Sequence, residues 1–235
     1  MKSGIIHHAT LGDVVVTVRD NRRLVSARWK NGIAHVNIPR GITPDEALRY
    51  IDSLAPRLLA RRTTLQYHAG QRIELDGLTI IISTQRHRPD TVIASIRNDV
   101  AAVEVGANLD FTDPEVTRII SNILCRIAMR VAERILIPRA RQVAASLGVT
   151  PASWHIMHGY TVLGKCTSRR AIHLSHALVF LTPELRDYIV CHELAHLSEM
   201  SHSPRFHAIC NSYCNGRESQ LIAALKTHKW CIFRR

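Results

Sequence analysis

None of the six cysteines (Cys125, Cys166, Cys191, Cys210, Cys214, Cys231) belongs to a CxxC pair. The opening residues, MKSGIIHHATLGD, contain no sustained apolar stretch of signal-peptide type. Nowhere does an apolar run reach the length needed to span a bilayer. These absences predict a cytoplasmic protein with no membrane partner, whose thiols are reduced and mostly buried rather than paired in a disulfide framework. There is also no Gly-rich phosphate loop, no acidic two-metal cluster and no recognised DNA-binding motif. Neither an internal repeat nor a low-complexity segment is visible.

What the chain does have is enough apolar sequence to fold. Of its 235 residues 46% are hydrophobic, and a chain of this length can bury an ordinary core in one large domain or two small ones. The formal net charge is +12, with 31 Lys and Arg against 19 Asp and Glu. Divided at residue 110, the first part has 15 basic and 11 acidic residues, the second 16 and 8. The basic C-terminal half therefore suggests a nucleotide or nucleic acid as a partner, set against the plainer reading of a solvated basic surface.

Local signals divide the chain. Residues 13–19, 24–30 and 33–38 read as strands of a β-meander, with Asn31-Gly32 as a hairpin turn. Thr43, Pro44 and Glu46 open a helix that runs to about residue 62, kinked or split at Pro56. Short strands follow at 71–74, 78–83, 91–97 and 100–105. Asp113, Pro114 and Glu115 then start a long amphipathic helix, kinked or restarted at Pro138 and closed by Gly148. Strands at 154–158, 160–166 and 171–175 precede another helix. The expected fold is α+β, a β-rich N-terminal domain over residues 1–110 followed by a hydrolase domain over 111–235. The late strands supply an edge with which a peptide can pair through its main chain.

The chemistry gathers in residues 181–208. Thr182 caps a helix, Pro183 suits its first position, and Glu184 favours its positive end. His192 and His196 fall four residues apart on one helical face, where neutral imidazoles can hold one Zn²⁺. Glu193, between them in HExxH, is placed to take a proton from the metal's water. A catalytic zinc needs a third protein ligand. Glu199 shares the face, but on a straight helix it lies about 10.5 Å of rise beyond His192. His202 serves if the helix breaks, and residues 201–204 provide the break, with Ser203 and Pro204 starting a new helix. The metal set is thus His192, His196 and His202, and the catalytic base is Glu193. His173, His176 and His207 are candidate oxyanion donors.

These residues resemble the YgjP-like family of metal-dependent hydrolases, relatives of the SprT-like metallopeptidases. The resemblance is carried by Gly164 and Cys166, by residues 171–175, by Pro183, by His192 to Leu197, and by His202, Ser203 and Phe206. It implies a zincin-like metallopeptidase domain, with ligands on His192, His196 and His202 and the general base on Glu193. The expected activity is zinc-dependent peptide-bond hydrolysis acting on a peptide or protein. Two alternatives stand beside it: a nucleoside triphosphate pyrophosphatase, and a nucleic-acid-associated protease of SprT type.

Overall fold

The computed structural model describes residues 3–21, 23–30, 32–60 and 65–233. Asn31 of the expected hairpin turn and the expected helix end at residues 61–62 lie outside them. The chain forms two compact units: residues 1–66 with 233–235, and residues 67–232.

In the first unit, strands β1 (Ser3–His8), β2 (Gly12–Arg19), β3 (Ser26–Lys30) and β4 (Ile33–Pro39) are followed by helix α1 (Pro44–Leu59). The sheet order is β1-β2-β4-β3, with β2 parallel to β4, so it is not the meander that its turns suggest. The tight β3–β4 hairpin is present, but β4 lies between β3 and β2 and leaves β3 as an outer strand. Alternation drives the packing: Val14, Val16, Ala34, Val36 and Ile38 turn inward onto Ala47, Ile51, Ala55 and Leu58 of α1. Thr43 and Glu46 open α1 with a reciprocal capping box, and α1 continues through Pro56 as one helix.

The second unit repeats this plan before adding to it. Strands β5 (Arg72–Leu75), β6 (Leu78–Gln85), β7 (Val92–Arg97) and β8 (Val100–Gly106) are ordered β5-β6-β8-β7, again with the second and fourth parallel. Helix α2 (Pro114–Ser146) follows as α1 follows the first sheet, and it runs unbroken through Pro138. The duplication is plain in the topology and faint in the residues, where Ala27 pairs with Val36 as Ala94 pairs with Val103. The division at residue 66 also differs from the one drawn at 110. Arg134 of α2 bonds to Asp99 and to the Gly77 carbonyl, so the second sheet and α2 share a unit.

A three-stranded sheet comes next, from β9 (Ser153–Met157), β10 (Gly164–Cys166) and β11 (Ala171–Ser175). Its order is β10-β11-β9, leaving β10 at the edge. A 3-10 turn (His176–Phe180) leads into α3 (Pro183–Ala195), then α4 (Pro204–Tyr213) and α5 (Glu218–Thr227). Two ion pairs tie α3 to α2 and to the turn between β5 and β6. Arg139 of α2 grips Asp187 through two bonds of 3.0 and 2.6 Å, and buried Arg186 reaches Asp76 at 2.6 Å, in the turn between β5 and β6. Among the described residues no helix is long and apolar enough to cross a membrane.

Candidate active site

Helix α3 begins as its sequence dictates. The Thr182 side chain accepts from the Leu185 amide, and Pro183 occupies the first turn. The end differs from expectation: the α-helix stops at Ala195 with His196 as its cap, earlier than the break expected at 201–204. Tighter bonds then carry the chain round, from the Leu197 amide to Leu194 and from the Ser198 amide to Ala195. This early stop brings His202 back beside the helix. Ser203 then caps α4, its hydroxyl accepting from the Phe206 amide, with Pro204 in the first turn.

One nitrogen from each of His192, His196 and His202 lies within 4.8 Å of the other two. The Nε2 atoms of His192 and His202 are 3.2 Å apart. Ligand bonds of about 2.0–2.1 Å in tetrahedral array separate nitrogens by about 3.3 Å, so this donor set fits one ion. The His196 ring is oriented independently: its Nδ1 meets the Glu199 carbonyl at 3.1 Å. With Nδ1–H donating there, Nε2 keeps its lone pair for the cluster. Glu199 therefore takes part through its backbone, while its carboxylate accepts from the amide and hydroxyl of Ser201.

Phe206 is the floor beneath all three rings and is fully buried. Its ring centroid lies 4.4 Å from that of His196, in a stacked arrangement, 4.8 Å from His202 and 4.9 Å from His192. Burial foremost, then repulsion from His196, His202 and His207, pushes the His192 pKa down to about 4. Burial likewise lowers the His196 pKa. Both imidazoles are thereby held neutral at physiological pH, the form in which they ligate.

Glu193 lies against the edge strand β10. It is buried, and burial pushes its carboxyl up to about 7, opposed by a bond from the Cys166 backbone N–H. Gly164 makes this approach possible. A Cβ there would stand 2.4 Å from Glu193 Oε1 and 2.6 Å from its Cγ. In the sequence the glycine is only part of a familiar pattern. Its reason is the room it leaves for Glu193, and single-sequence reasoning had no signal for that, nor for the floor made by Phe206.

The three candidate oxyanion donors go separate ways. His173 stacks on His155 across β11 and β9, with ring centroids 4.8 Å apart. His176 is buried, its Nδ1 3.2 Å from the Met157 carbonyl. His207 pairs through Nδ1 with buried Glu218 at 2.9 Å and is the one of the three that acts electrostatically on His192. All six cysteines are free, and five of them are buried, as thiols that pack rather than bridge.

The charge distribution changes once the units are known. Residues 1–66 with 233–235 hold thirteen Lys and Arg against five Asp and Glu, a net +8. Residues 67–232 hold eighteen against fourteen, a net +4. The basic excess thus belongs chiefly to the N-terminal unit and not to the unit of the histidine cluster.

Three comparisons bear on the chain. A search of curated proteins finds no match. Among solved structures, the chain is similar to the metallopeptidase zymogen jannalysin of Methanocaldococcus jannaschii, at 20% identity and a TM-score of 0.32, over 38% of this chain and 96% of that one. The family model described as "YgjP-like, metallopeptidase domain" matches residues 23–227, most of the chain, and a cluster of three histidines able to hold a metal ion lies within the matched span. The chain belongs to the YgjP-like family of metallopeptidase domains.

Proposed function

We propose that the protein is a zinc-dependent peptidase of zincin-like architecture, with His192, His196 and His202 holding the ion and Glu193 acting as general base. The observation that carries this reading is the convergence of three imidazole nitrogens within 4.8 Å, beside a buried carboxylate. An all-imidazole donor set with room for a fourth ligand suits catalytic Zn²⁺. Bound there, the ion would supply Lewis acidity, polarising a peptide carbonyl and acidifying a water.

The chain's own residues do the rest. Glu193, with a pKa near 7, can take a proton near neutral pH and return it to the leaving amine. The Cys166 amide and the space at Gly164 hold its carboxylate along β10. The Glu199 carbonyl fixes the His196 tautomer, and Phe206 keeps the rings in register and excludes water beneath them. The edge strand β10 gives an extended substrate a main chain to align with.

The test is metal analysis of the purified protein together with a substrate panel of quenched peptides and nucleoside triphosphates. About one zinc per chain and cleavage of peptides are expected. Hydrolysis of the triphosphates with the peptides left intact would replace this reading by the pyrophosphatase one.

A further inference from the structure

The N-terminal unit carries a feature that the catalytic chemistry does not use. Beside its outer strand β3 runs a groove of about 400 Å³, lined by residues 25–29 on one side and by Leu54, Arg57 and Leu58 of α1 on the other. The Trp29 indole N–H donates to the Leu58 carbonyl at 2.7 Å, which ties the strand to the helix and keeps the groove's shape.

Alternation places cations on both sides of the strand edge. Ala27 and Trp29 face α1, so Arg28 and Lys30 face the opposite side of the sheet, and both are exposed. Arg28 stands opposite His35 in register. After burial, Lys30 and Arg28 are what lower the His35 pKa, so the three groups are neighbours. Arg57, also exposed, adds a cation on the groove side. Among the described residues none of Arg28, Lys30 and Arg57 is in an ion pair.

We propose that β3 and the C-terminal half of α1 form a docking groove for an extended acidic segment of another polypeptide, which adds to the sheet as a fifth strand. An outer strand offers main-chain hydrogen bonds to such a segment. Side chains directed into the groove meet Leu54 and Leu58, and those directed to the other side meet Arg28 and Lys30. The segment that fits therefore alternates apolar and acidic residues over about five positions, the length of β3. The net +8 of the unit favours an acidic partner and disfavours a second copy of the chain, which would bring the same charge. A nucleic acid is disfavoured by the groove itself, which has a single aromatic ring where single-strand binding stacks successive bases on several.

The experiment is fluorescence anisotropy of the full-length protein with three labelled, end-capped seven-residue peptides. One alternates Glu and Val, one alternates Lys and Val, and one carries the Glu and Val of the first in two blocks. Mass spectrometry after the titration checks that each peptide is intact. The alternating acidic peptide is expected to bind best, more weakly as salt rises, and at least tenfold more weakly to the R28E/R57E double variant. Both arginines are exposed, so the variant should keep the wild-type circular dichroism and melting temperature. Four results would overturn the proposal: no binding of the acidic peptide at low salt, undiminished binding by the folded variant, equal binding of the block peptide, or binding of a single-stranded oligonucleotide lost in the variant while the peptides do not bind. A wild-type dimer that R28E/R57E converts to a monomer in sedimentation would assign the groove to a second copy instead, and would equally overturn it.

Discussion

Gly164→Ala adds one methyl group and tests the placement of Glu193 without touching its chemistry. The glycine does not have a left-handed backbone, so alanine suits its conformation. The added Cβ would lie 2.4, 2.6 and 2.7 Å from Oε1, Cγ and Cδ of Glu193. Each distance falls roughly 1 Å short of an optimal contact of about 3.5 Å. Strand β10 is bound to β11, and α3 is anchored by Arg139–Asp187 and Arg186–Asp76, so neither backbone yields easily. The cheapest relief is for the Glu193 carboxylate to swing off β10 and lose its bond to the Cys166 amide. Overpacking of this kind costs about 1–3 kcal/mol of stability, so the fold survives. Losing a positioned general base costs about 10²–10⁴ in rate, or roughly 3–5 kcal/mol of transition-state stabilisation. The assay is peptide hydrolysis by metal-loaded protein, with metal content and melting temperature measured in parallel. Metal content should stay at the wild-type level, because the nearest atoms to the new methyl all belong to Glu193. Gly4→Ala, with open space around its Cβ, serves as the neutral control. A fully active, metal-loaded Gly164→Ala enzyme would refute the assignment of Glu193 at this position.

Other outcomes follow from the same geometry. His202→Ala should sharply reduce zinc retention while Glu199→Ala leaves it near wild type, since Glu199 orients His196 through its carbonyl; metal analysis after dialysis decides, and the reverse result would move the third ligand to Glu199. Phe206→Ala should lower stability by about 3–5 kcal/mol in denaturant titration and weaken metal binding as the three rings lose their floor. The metal-free protein should respond to acid through His192. Its folded pKa, about 4, lies below the unfolded 6.5, so the stability it contributes is present above pH 6.5 and is lost as pH falls toward 4. His192→Gln should flatten that part of the stability–pH curve, and an unchanged slope between pH 6.5 and 4 would contradict the stated burial of His192.

Much of the site was legible because its signals are local. Thr43, Asp113, Thr182 and Ser203 each announce a helix start by side chain and spacing, and each caps one. His192, His196 and His202 meet because two helices start and stop where short-range chemistry puts them. Less was legible where the cause is a contact between distant residues. The parallel pairing of β2 with β4 and of β6 with β8 depends on which strand takes the middle of the sheet, and alternation alone does not say. Strand β1 carries little signal in the sequence because its apolar residues are few and largely exposed. The early end of α3 leaves no glycine or proline mark, since His196 stays in right-handed helical geometry while its ring turns to the Glu199 carbonyl. Gly164 could be read as a pattern residue, but its purpose appears only when Glu193, twenty-nine positions on, is set against it.

The most direct measurement is the rate of peptide hydrolysis by Glu193→Gln compared with wild type at equal bound zinc. Glutamine keeps the side chain's shape and can still accept a hydrogen bond, but it cannot carry the proton. The account predicts a loss of about 10²–10⁴-fold or more in rate, with zinc content and melting temperature close to wild type. Undiminished hydrolysis by the zinc-loaded variant would contradict it.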